Sequence, residues 1–291
     1  MILSANGPFD YSRMYEFMAL QDDCLYETAA GRVRRAEVFD GQPVLFELSE
    51  ASESNALNLE ILHNDGADEA LVIDYVKDWF DLAYDINAFY AFASKDDRLK
   101  AVARELKGFR MLAYVDMTDV LVWAVLGQQI NMKFAFELKR RLVQHFDHYI
   151  EYEGTKYWMM PGARELFDMD LSVMRGMQIS SSKSGYIKNC AAGLLDGSLA
   201  KAHLEKFDDY SRALSHLTRV KGIGPWSANV ILMRTIKFRN AVPIGDAGLK
   251  NALKATDGLN DKPTREYIDE VISQWGDFGT YATLYMWRVL G

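Results

Sequence analysis

An aspartate stands alone among basic residues in the segment 217–254. Asp246 lies twenty-two residues after Gly224, within VPIGDAGLK, with Arg239 before it and Lys250 after it. A carboxylate with no acidic neighbour in the sequence suits the stabilisation of positive charge on a substrate or the orientation of a water molecule. Asp246 is therefore the candidate catalytic residue.

A glycine-rich turn precedes this aspartate and separates two predicted helices. Apolar residues at helical spacing predict a helix on each side, and Pro225 suits the first turn of the second helix. The turn from Gly222 through Ile223 to Gly224 presents free backbone N–H groups beside Lys221, an arrangement that attracts a phosphate. The glycine pair alone is weak evidence, because a tight turn between two core helices gives the same pattern.

The charge of the chain is unevenly distributed. Its net charge of −8 argues against a general polyanion binder. The segment 217–254 is the exception, because it contains seven basic residues and one acidic residue. This local excess of positive charge predicts a surface that binds a nucleic acid duplex, and we expect the binding affinity to be modest and salt-sensitive. The seven are Arg219, Lys221, Arg234, Lys237, Arg239, Lys250 and Lys254.

The stretch VKGIGPWSAN, followed by Asp246, resembles the hairpin and catalytic aspartate of the helix-hairpin-helix DNA glycosylases. Bifunctional members carry a lysine two residues past the second hairpin glycine, where this chain has Trp226. The chain is therefore most similar to the monofunctional branch for alkylated bases, DNA-3-methyladenine glycosylase II. The resemblance implies base excision repair: alkylated purines of the 3-methyladenine or 7-methylguanine type are flipped out of duplex DNA and their N-glycosidic bond is hydrolysed, without strand cleavage. A glycosylase for oxidised or deaminated bases and a non-catalytic helix-hairpin-helix DNA-binding protein remain alternatives.

The same resemblance implies roles for further residues. Trp226 and Phe278 would stack on the extruded base, and Val230 would line the pocket where some relatives have another aromatic residue. Gln129 is the candidate wedge that enters the duplex, with Gln128 as its neighbour, although both amides also suit helix ends. The residues expected at the DNA backbone are Lys221, Gly222, Ile223, Gly224, Ser227 and Lys250.

The family also suggests which cofactors and partners to expect. Its members can hold a monovalent cation through hairpin carbonyls, and Thr218, Val220 and Ile223 occupy the matching positions. No other cofactor is expected, because Cys24 and Cys190 are too few for a four-cysteine iron–sulfur cluster or a disulfide framework. The expected partner is double-stranded DNA containing damaged bases, and a monomer is expected.

The composition is that of a soluble globular protein. The sequence contains no run of about 18 apolar residues and does not begin with a basic region followed by an apolar core. We therefore expect a cytoplasmic protein that is nucleoid-associated when bound to DNA, with no membrane partner.

Residues 1–110 predict a small α+β domain with an antiparallel sheet. The ranges 33–39, 43–49 and 57–62 are predicted strands, and 68–84 is a predicted helix with one apolar face. Regular patterns of this kind favour a packing role without chemistry over a catalytic role.

Residues 111–291 predict a mostly helical glycosylase domain. This domain contains the helix-hairpin-helix, at about 211–237, and the loop of the catalytic aspartate. Thr118 and Thr280 are the expected N-caps of two of its helices, and 149–161 is expected to be a connection. The fold class predicted for the whole chain is therefore α+β.

Overall fold

The protein begins with a five-stranded antiparallel sheet in the computed structural model, which describes residues 1–289. The strands are β1 (Ile2–Ser4), β2 (Glu27–Ala29), β3 (Arg32–Phe39), β4 (Gln42–Glu50) and β5 (Ala56–Asn64). They lie in the order β1-β5-β4-β3-β2. The three predicted strands, 33–39, 43–49 and 57–62, correspond to β3, β4 and β5, so the predicted antiparallel sheet is confirmed.

Both faces of this sheet are covered. Phe46 and Leu48 point into the main core, whereas Leu45 on the opposite face packs in a second cluster with Ile150 and Tyr157. The second cluster is closed by a β-hairpin of β6 (Tyr149–Tyr152) and β7 (Thr155–Trp158). The range 149–161 is therefore not a simple connection, as the sequence suggested, because its apolar side chains cover the outer face of the sheet.

Four helices lie in the same N-terminal region of the chain as this sheet. They are α1 (Tyr11–Ala19), α2 (Glu69–Trp79), α3 (Asn87–Ala93) and α4 (Lys100–Glu105). The predicted helix 68–84 corresponds to α2, and Asp68 caps its N-terminus by accepting the N–H of Ala70 at 2.9 Å. The helix ends earlier than predicted, and Asp81 beyond it adopts a left-handed backbone conformation with φ of 50°.

The remainder of the described chain is mainly helical. Its helices are α5 (Met117–Leu126), α6 (Met132–His145), α7 (Ala163–Asp168), α8 (Leu171–Gly176), α9 (Ser181–Leu195), α10 (Lys201–Leu204), α11 (Tyr210–Thr218), α12 (Pro225–Ile231), α13 (Ala247–Thr256), α14 (Arg265–Trp275) and α15 (Gly279–Met286). A π-helical turn, Leu232–Ile236, extends α12, and a 3₁₀ turn, Gly276–Phe278, precedes α15.

One apolar core runs through the sheet region and the helical region, which confirms the α+β class. The predicted helical domain extends to residue 291, and its last two residues lie outside the described range. None of the helices within residues 1–289 is both long and apolar enough to cross a membrane.

Two predicted helix caps are wrong. Asp116 rather than Thr118 caps α5, because its carboxylate accepts the N–H of Thr118 at 2.8 Å. The hydroxyl of Thr280 instead donates to the carbonyls of Phe238 and Ala241, at 2.8 and 3.0 Å. Thr280 therefore links α15 to the chain that follows the π-helical turn.

The predicted basic footprint is smaller than the sequence suggested. Arg239 pairs with both carboxylate oxygens of Asp81 at 2.7 and 2.9 Å, and Lys237 pairs with Asp78 and Asp81. Arg234 donates to a backbone carbonyl 3.1 Å away. Lys237 and Arg239 therefore join residues 1–110 to the helical region, and Arg234 is bound within the helical region, to the carbonyl of Leu112. The basic residues of 217–254 left for a DNA backbone are Arg219, Lys221, Lys250 and Lys254.

Candidate active site

The carboxylate of Asp246 accepts three hydrogen bonds. Asp246 is the N-cap of α13, and its Oδ1 atom accepts the N–H of Leu249 at 2.8 Å. The indole Nε1 of Trp287 donates to the same oxygen at 2.8 Å, and that of Trp226 donates to Oδ2 at 3.1 Å. Two of these donors come from residues 20 and 41 positions away in the chain, so tertiary structure fixes the orientation of the carboxylate.

The negative charge of Asp246 has no cationic partner in the described structure. No lysine, arginine or histidine within residues 1–289 forms an ion pair with it. Indole and backbone N–H groups hold a carboxylate in place without cancelling its charge, and Asp246 lies at the N-terminus of α13, which attracts negative charge. The arrangement can therefore stabilise a cation that forms on a bound substrate.

Trp226 lies between Asp246 and the loop that carries the predicted wedge. It is the second residue of α12, after Pro225, and its side chain is half-buried. A methyl group added at Gly127 would lie 3.6 Å from Cη2 of Trp226, so the indole passes close to the end of α5. Trp226, the residue expected to stack on the base, therefore lies beside both the candidate catalytic aspartate and the loop that carries the predicted wedge.

The predicted site residues do not include Trp287, which follows α15. Glycine at position 248 leaves room for the contact of Trp287 with Asp246, because a Cβ there would lie 3.1 Å from both Oδ1 of Asp246 and Cδ1 of Trp287, a tight approach. Spacing gives no signal for this contact, since 41 residues separate Trp287 from the carboxylate. The absence of a side chain at Gly248, immediately after Asp246-Ala247, was the local clue.

The two other expected pocket residues are in different environments. Phe278 is half-buried, and its ring stacks on Phe92 with centroids 4.8 Å apart, so one face of the ring is occupied. Val230 is only 4% exposed and belongs to the main core. The structure therefore brings Trp226 to Asp246, whereas Val230 offers a base almost no surface.

Three side chains from outside the hairpin contact its turn, namely Tyr186, Asn189 and Gln128. Gly222 has φ of 109°, and a Cβ there would lie 2.4 Å from Cβ of Tyr186, so only glycine fits. Asn189 donates to the carbonyl of Lys221 at 2.9 Å, and Gln128 donates to the carbonyl of Gly222 at 2.8 Å. These bonds tie the carbonyls of Lys221 and Gly222 to α9 and to the loop that follows α5.

The hairpin N–H groups differ in their availability. The N–H of Ile223 donates to the carbonyl of Val220 at 3.0 Å, so Ile223 is not a free donor as expected. The N–H groups of Gly222 and Gly224 bond to no acceptor in the described part of the chain. Lys221 is exposed beside them and Lys250 is partly exposed. A phosphate would therefore meet Gly222, Gly224 and a nearby lysine.

Ser227 differs from its expected role. Its side chain is 1% exposed, and its hydroxyl donates to the carbonyl of Ala124 at 2.8 Å while accepting from Gln128 at 2.9 Å. The hydroxyl therefore cannot reach a DNA phosphate. Ser227 instead ties the start of α12 to the end of α5.

The two amides of the wedge loop have separate roles. Gln128 is bound to Gly222 and Ser227, which makes it an anchor between loop and hairpin rather than part of a wedge. Gln129 is exposed, and its φ of 57° lifts it out of the helical path. Lys183 donates to the carbonyl of Leu126 at 2.6 Å, and burial lowers its pKa. The loop is thus fixed on both sides, with Gln129 at its tip.

Comparison with known proteins gives two family matches. Residues 122–277 match the model described as HhH-GPD superfamily base excision DNA repair protein, and residues 9–121 match 8-oxoguanine DNA glycosylase, N-terminal domain. The DNA-3-methyladenine glycosylase of Bacillus subtilis (strain 168) is 38% identical over 219 residues, which cover 75% of this chain and 72% of that protein.

Solved structures share the fold at lower identity. The 3-methyladenine DNA glycosylase from Archaeoglobus fulgidus has a TM-score of 0.86 at 20% identity, covering 99% of this chain and 97% of that one. The 8-oxoguanine glycosylase/lyase of Clostridium acetobutylicum in complex with double-stranded DNA has a TM-score of 0.76 at 16% identity, covering 99% and 96%. Because the family model spans more than half of the sequence and agrees with the hairpin and aspartate described above, the chain belongs to the HhH-GPD superfamily of base excision DNA repair proteins.

Proposed function

We propose that this protein is a monofunctional DNA glycosylase that removes alkylated purines, of the 3-methyladenine and 7-methylguanine type, from duplex DNA. The observation that carries the proposal is the carboxylate of Asp246, which is held by two indole N–H groups and has no cationic partner among residues 1–289. The name of the Bacillus subtilis relative, DNA-3-methyladenine glycosylase, agrees with this activity.

The leaving base needs little acid catalysis from the enzyme. Alkylation at N3 or N7 makes the purine cationic, so the base departs as a neutral molecule with the electrons of the glycosidic bond. Positive charge then develops on the sugar, and the carboxylate of Asp246 stabilises it. Water adds to the sugar carbon and loses a proton to Asp246 or to solvent. The products are a free base and an abasic site in an unbroken strand.

Trp226 provides the recognition surface in this mechanism. A cationic base over an aromatic face gains about 0.5 to 2 kcal/mol, a gain that a neutral base does not share. The indole N–H remains bonded to Asp246, so the same residue fixes the carboxylate and presents its ring. We propose that this difference favours alkylated over undamaged purines.

The proposed enzyme lacks lyase activity. Strand cleavage by such enzymes requires an amine that forms a Schiff base with the sugar. Trp226 occupies the matching position, and Asp246 has no lysine partner within the described residues. Borohydride reduction during turnover should therefore trap no covalent complex with DNA, and a trapped complex would contradict the proposal.

We propose that the hairpin carbonyls hold a monovalent cation. The carbonyls of Thr218 and Ile223 accept no hydrogen bond from the described residues, and that of Val220 accepts one. These neutral oxygens, without an acidic cluster, suit K⁺ or Na⁺ better than a divalent ion. A cation held by these three carbonyls would add positive charge where the hairpin meets a phosphate. We propose no other cofactor, and a monomer that acts on double-stranded DNA.

The test of Asp246 is base release from methylated duplex DNA. Asp246→Asn should lower the rate by about 100-fold or more, because the amide lacks the negative charge. Asp209→Asn is the matched control: Asp209 caps α11 by accepting the N–H of Arg212 at 2.8 Å, far from the hairpin end of that helix. Asp209→Asn should keep the wild-type rate.

Binding and substrate range complete the test. Asp246→Asn should bind a duplex with an abasic-site analogue as the wild type does, since the hairpin is unchanged. An Asp246→Asn enzyme that folds normally and releases bases at the wild-type rate would refute the assignment. Release of 8-oxoguanine or hypoxanthine in preference to 3-methyladenine and 7-methylguanine would refute the proposed substrate class.

A further inference from the structure

The loop between α5 and α6 carries an exposed apolar side chain close to the predicted wedge. Met132, the first residue of α6, is 56% exposed and lies three positions after Gln129. Single exposed apolar residues are common on protein surfaces. The position of Met132 is unusual because the loop is anchored to the hairpin by Gln128, and Gly127 at its start is close to Trp226.

Other side chains of the loop are already engaged. Gln128 is bound to the hairpin, and Asn131 caps α6 by accepting the N–H of Phe134 at 2.8 Å. Ile130 is partly buried against the main core. Asn131 is exposed but engaged as the cap, so the exposed side chains at the tip without such a contact in the described structure are a polar amide, Gln129, and the thioether of Met132, followed by Lys133.

An amide and a thioether suit different parts of a distorted duplex. Gln129 can fill the space of an extruded base and form hydrogen bonds to the bases around it. Proteins that force base pairs apart insert apolar side chains, methionine among them, because these replace stacking contacts that the DNA loses. Methionine is also flexible and polarisable, so it can adapt to different neighbouring bases.

We propose that Met132 is a second wedge residue that inserts between base pairs beside the extruded nucleotide, while Gln129 occupies the vacated position. This inference rests on the proposed function, since it assumes a flipped nucleotide. Because a thioether is a poor hydrogen-bond partner, Met132 does not read the identity of the base it touches. That property suits an enzyme whose target bases pair with both thymine and cytosine.

The test compares three variants on a duplex with a tetrahydrofuran abasic-site analogue and 2-aminopurine as the neighbouring base. Met132→Ala removes the wedge, and Met132→Leu retains an apolar one. Leu20→Ala, which follows α1 and loses a side chain that is 75% exposed, is the matched control. Dissociation constants and 2-aminopurine fluorescence are measured for each.

The wild type should raise 2-aminopurine fluorescence on binding, because insertion unstacks the probe. Met132→Ala should bind about tenfold more weakly, from the lost apolar contact, and should give a smaller fluorescence rise. Met132→Leu should restore most of both effects, and Leu20→Ala should match the wild type. Equal affinity and equal fluorescence for Met132→Ala and the wild type would overturn the proposal.

Base release separates this inference from the proposed function. Met132→Ala should release alkylated bases more slowly from duplex DNA, whereas its rate on single-stranded DNA should equal that of the wild type, because no stack needs to be opened. An equal loss on both substrates would also overturn the wedge role. If the wild type releases no alkylated base from duplex DNA, the proposed function fails, while the abasic-site measurements still decide whether Met132 inserts.

Discussion

Replacement by alanine should have different consequences at the two glycines of the hairpin, Gly222 and Gly224. A Cβ at Gly222 would lie 2.4 Å from Cβ and Cγ of Tyr186, and the residue has φ of 109°. A Cβ at Gly224 meets no atom within 4 Å, and its φ of −84° is ordinary for alanine. Gly222→Ala therefore tests the packing of the hairpin, and Gly224→Ala tests the surface it presents.

The expected magnitudes follow from these geometries. Gly222→Ala should lower the free energy of unfolding by about 2 to 5 kcal/mol, because backbone strain adds to overpacking against Tyr186. Gly224→Ala should change it by less than about 1 kcal/mol, since a small gain in chain entropy offsets a poorer N-cap. The new methyl group of Gly224→Ala would instead obstruct a phosphate that bonds to the hairpin N–H groups. Losing one such charge-assisted bond costs about 1.5 to 3 kcal/mol, or roughly 10- to 100-fold in affinity.

Thermal unfolding and fluorescence anisotropy with an abasic-site duplex measure the two effects separately. The dissociation constant should be determined at two salt concentrations, and the loss should be present at both, because the backbone N–H is neutral and the basic residues that set the salt dependence are unchanged. The reasoning is refuted if Gly224→Ala binds duplex DNA as tightly as the wild type, or if Gly222→Ala is as stable as the wild type.

Three further substitutions test other contacts of the site. Trp287→Phe removes one donor to Asp246 and should lower kcat about tenfold with little change in KM, measured as base release under saturating duplex. Gln128→Leu leaves the carbonyl of Gly222 unpaired and should destabilise the protein by about 1 to 3 kcal/mol in chemical unfolding. Burial alone would raise the pKa of Asp81, but the hydrogen bonds and charge of Arg239 lower it below its usual value. The ionised Asp81 therefore stabilises the fold above about pH 4, and this stabilisation is lost as the pH falls further. The free energy of unfolding of Asp81→Asn should accordingly fall less than that of the wild type when the pH is lowered in a series of chemical unfolding measurements.

Local patterns were sufficient to predict much of the fold. A strand-turn-strand pattern located β3 and β4, alternating residues located β5, and the glycines with Pro225 located the hairpin, because each of these features depends on neighbours in the chain. Asp246 and Trp226 were selected from the sequence through their resemblance to a family, and folding brings them to 3.1 Å of each other. The role of Trp287 was not predictable in this way, since nothing near it in the sequence indicates that its indole reaches Asp246.

The predicted basic footprint of 217–254 was too large for a related reason. A sequence shows how many cations a segment contains, but the partners of Lys237 and Arg239 are Asp78 and Asp81, more than 150 residues earlier. Pairing with these acids removes both cations from any DNA footprint. The burial of the Ser227 hydroxyl, which removes it as a contact to the DNA backbone, was not visible in the sequence for the same reason, because it depends on the approach of α5 to α12.

The N-terminal half contributes to the geometry of the active site, although its sequence suggested only a packing role. Asp81 binds both Arg239 and the hydroxyl of Tyr281, a residue of α15. The same helix holds the chain before Asp246 through Thr280, whose N–H donates to the carbonyl of Arg239 at 2.8 Å. Trp287, just beyond the end of α15, then bonds to the carboxylate itself. The helix α15 therefore supports both the loop and the carboxylate of Asp246, and Asp81 fixes that helix to the loop, so displacement of the N-terminal domain would move Asp246 directly.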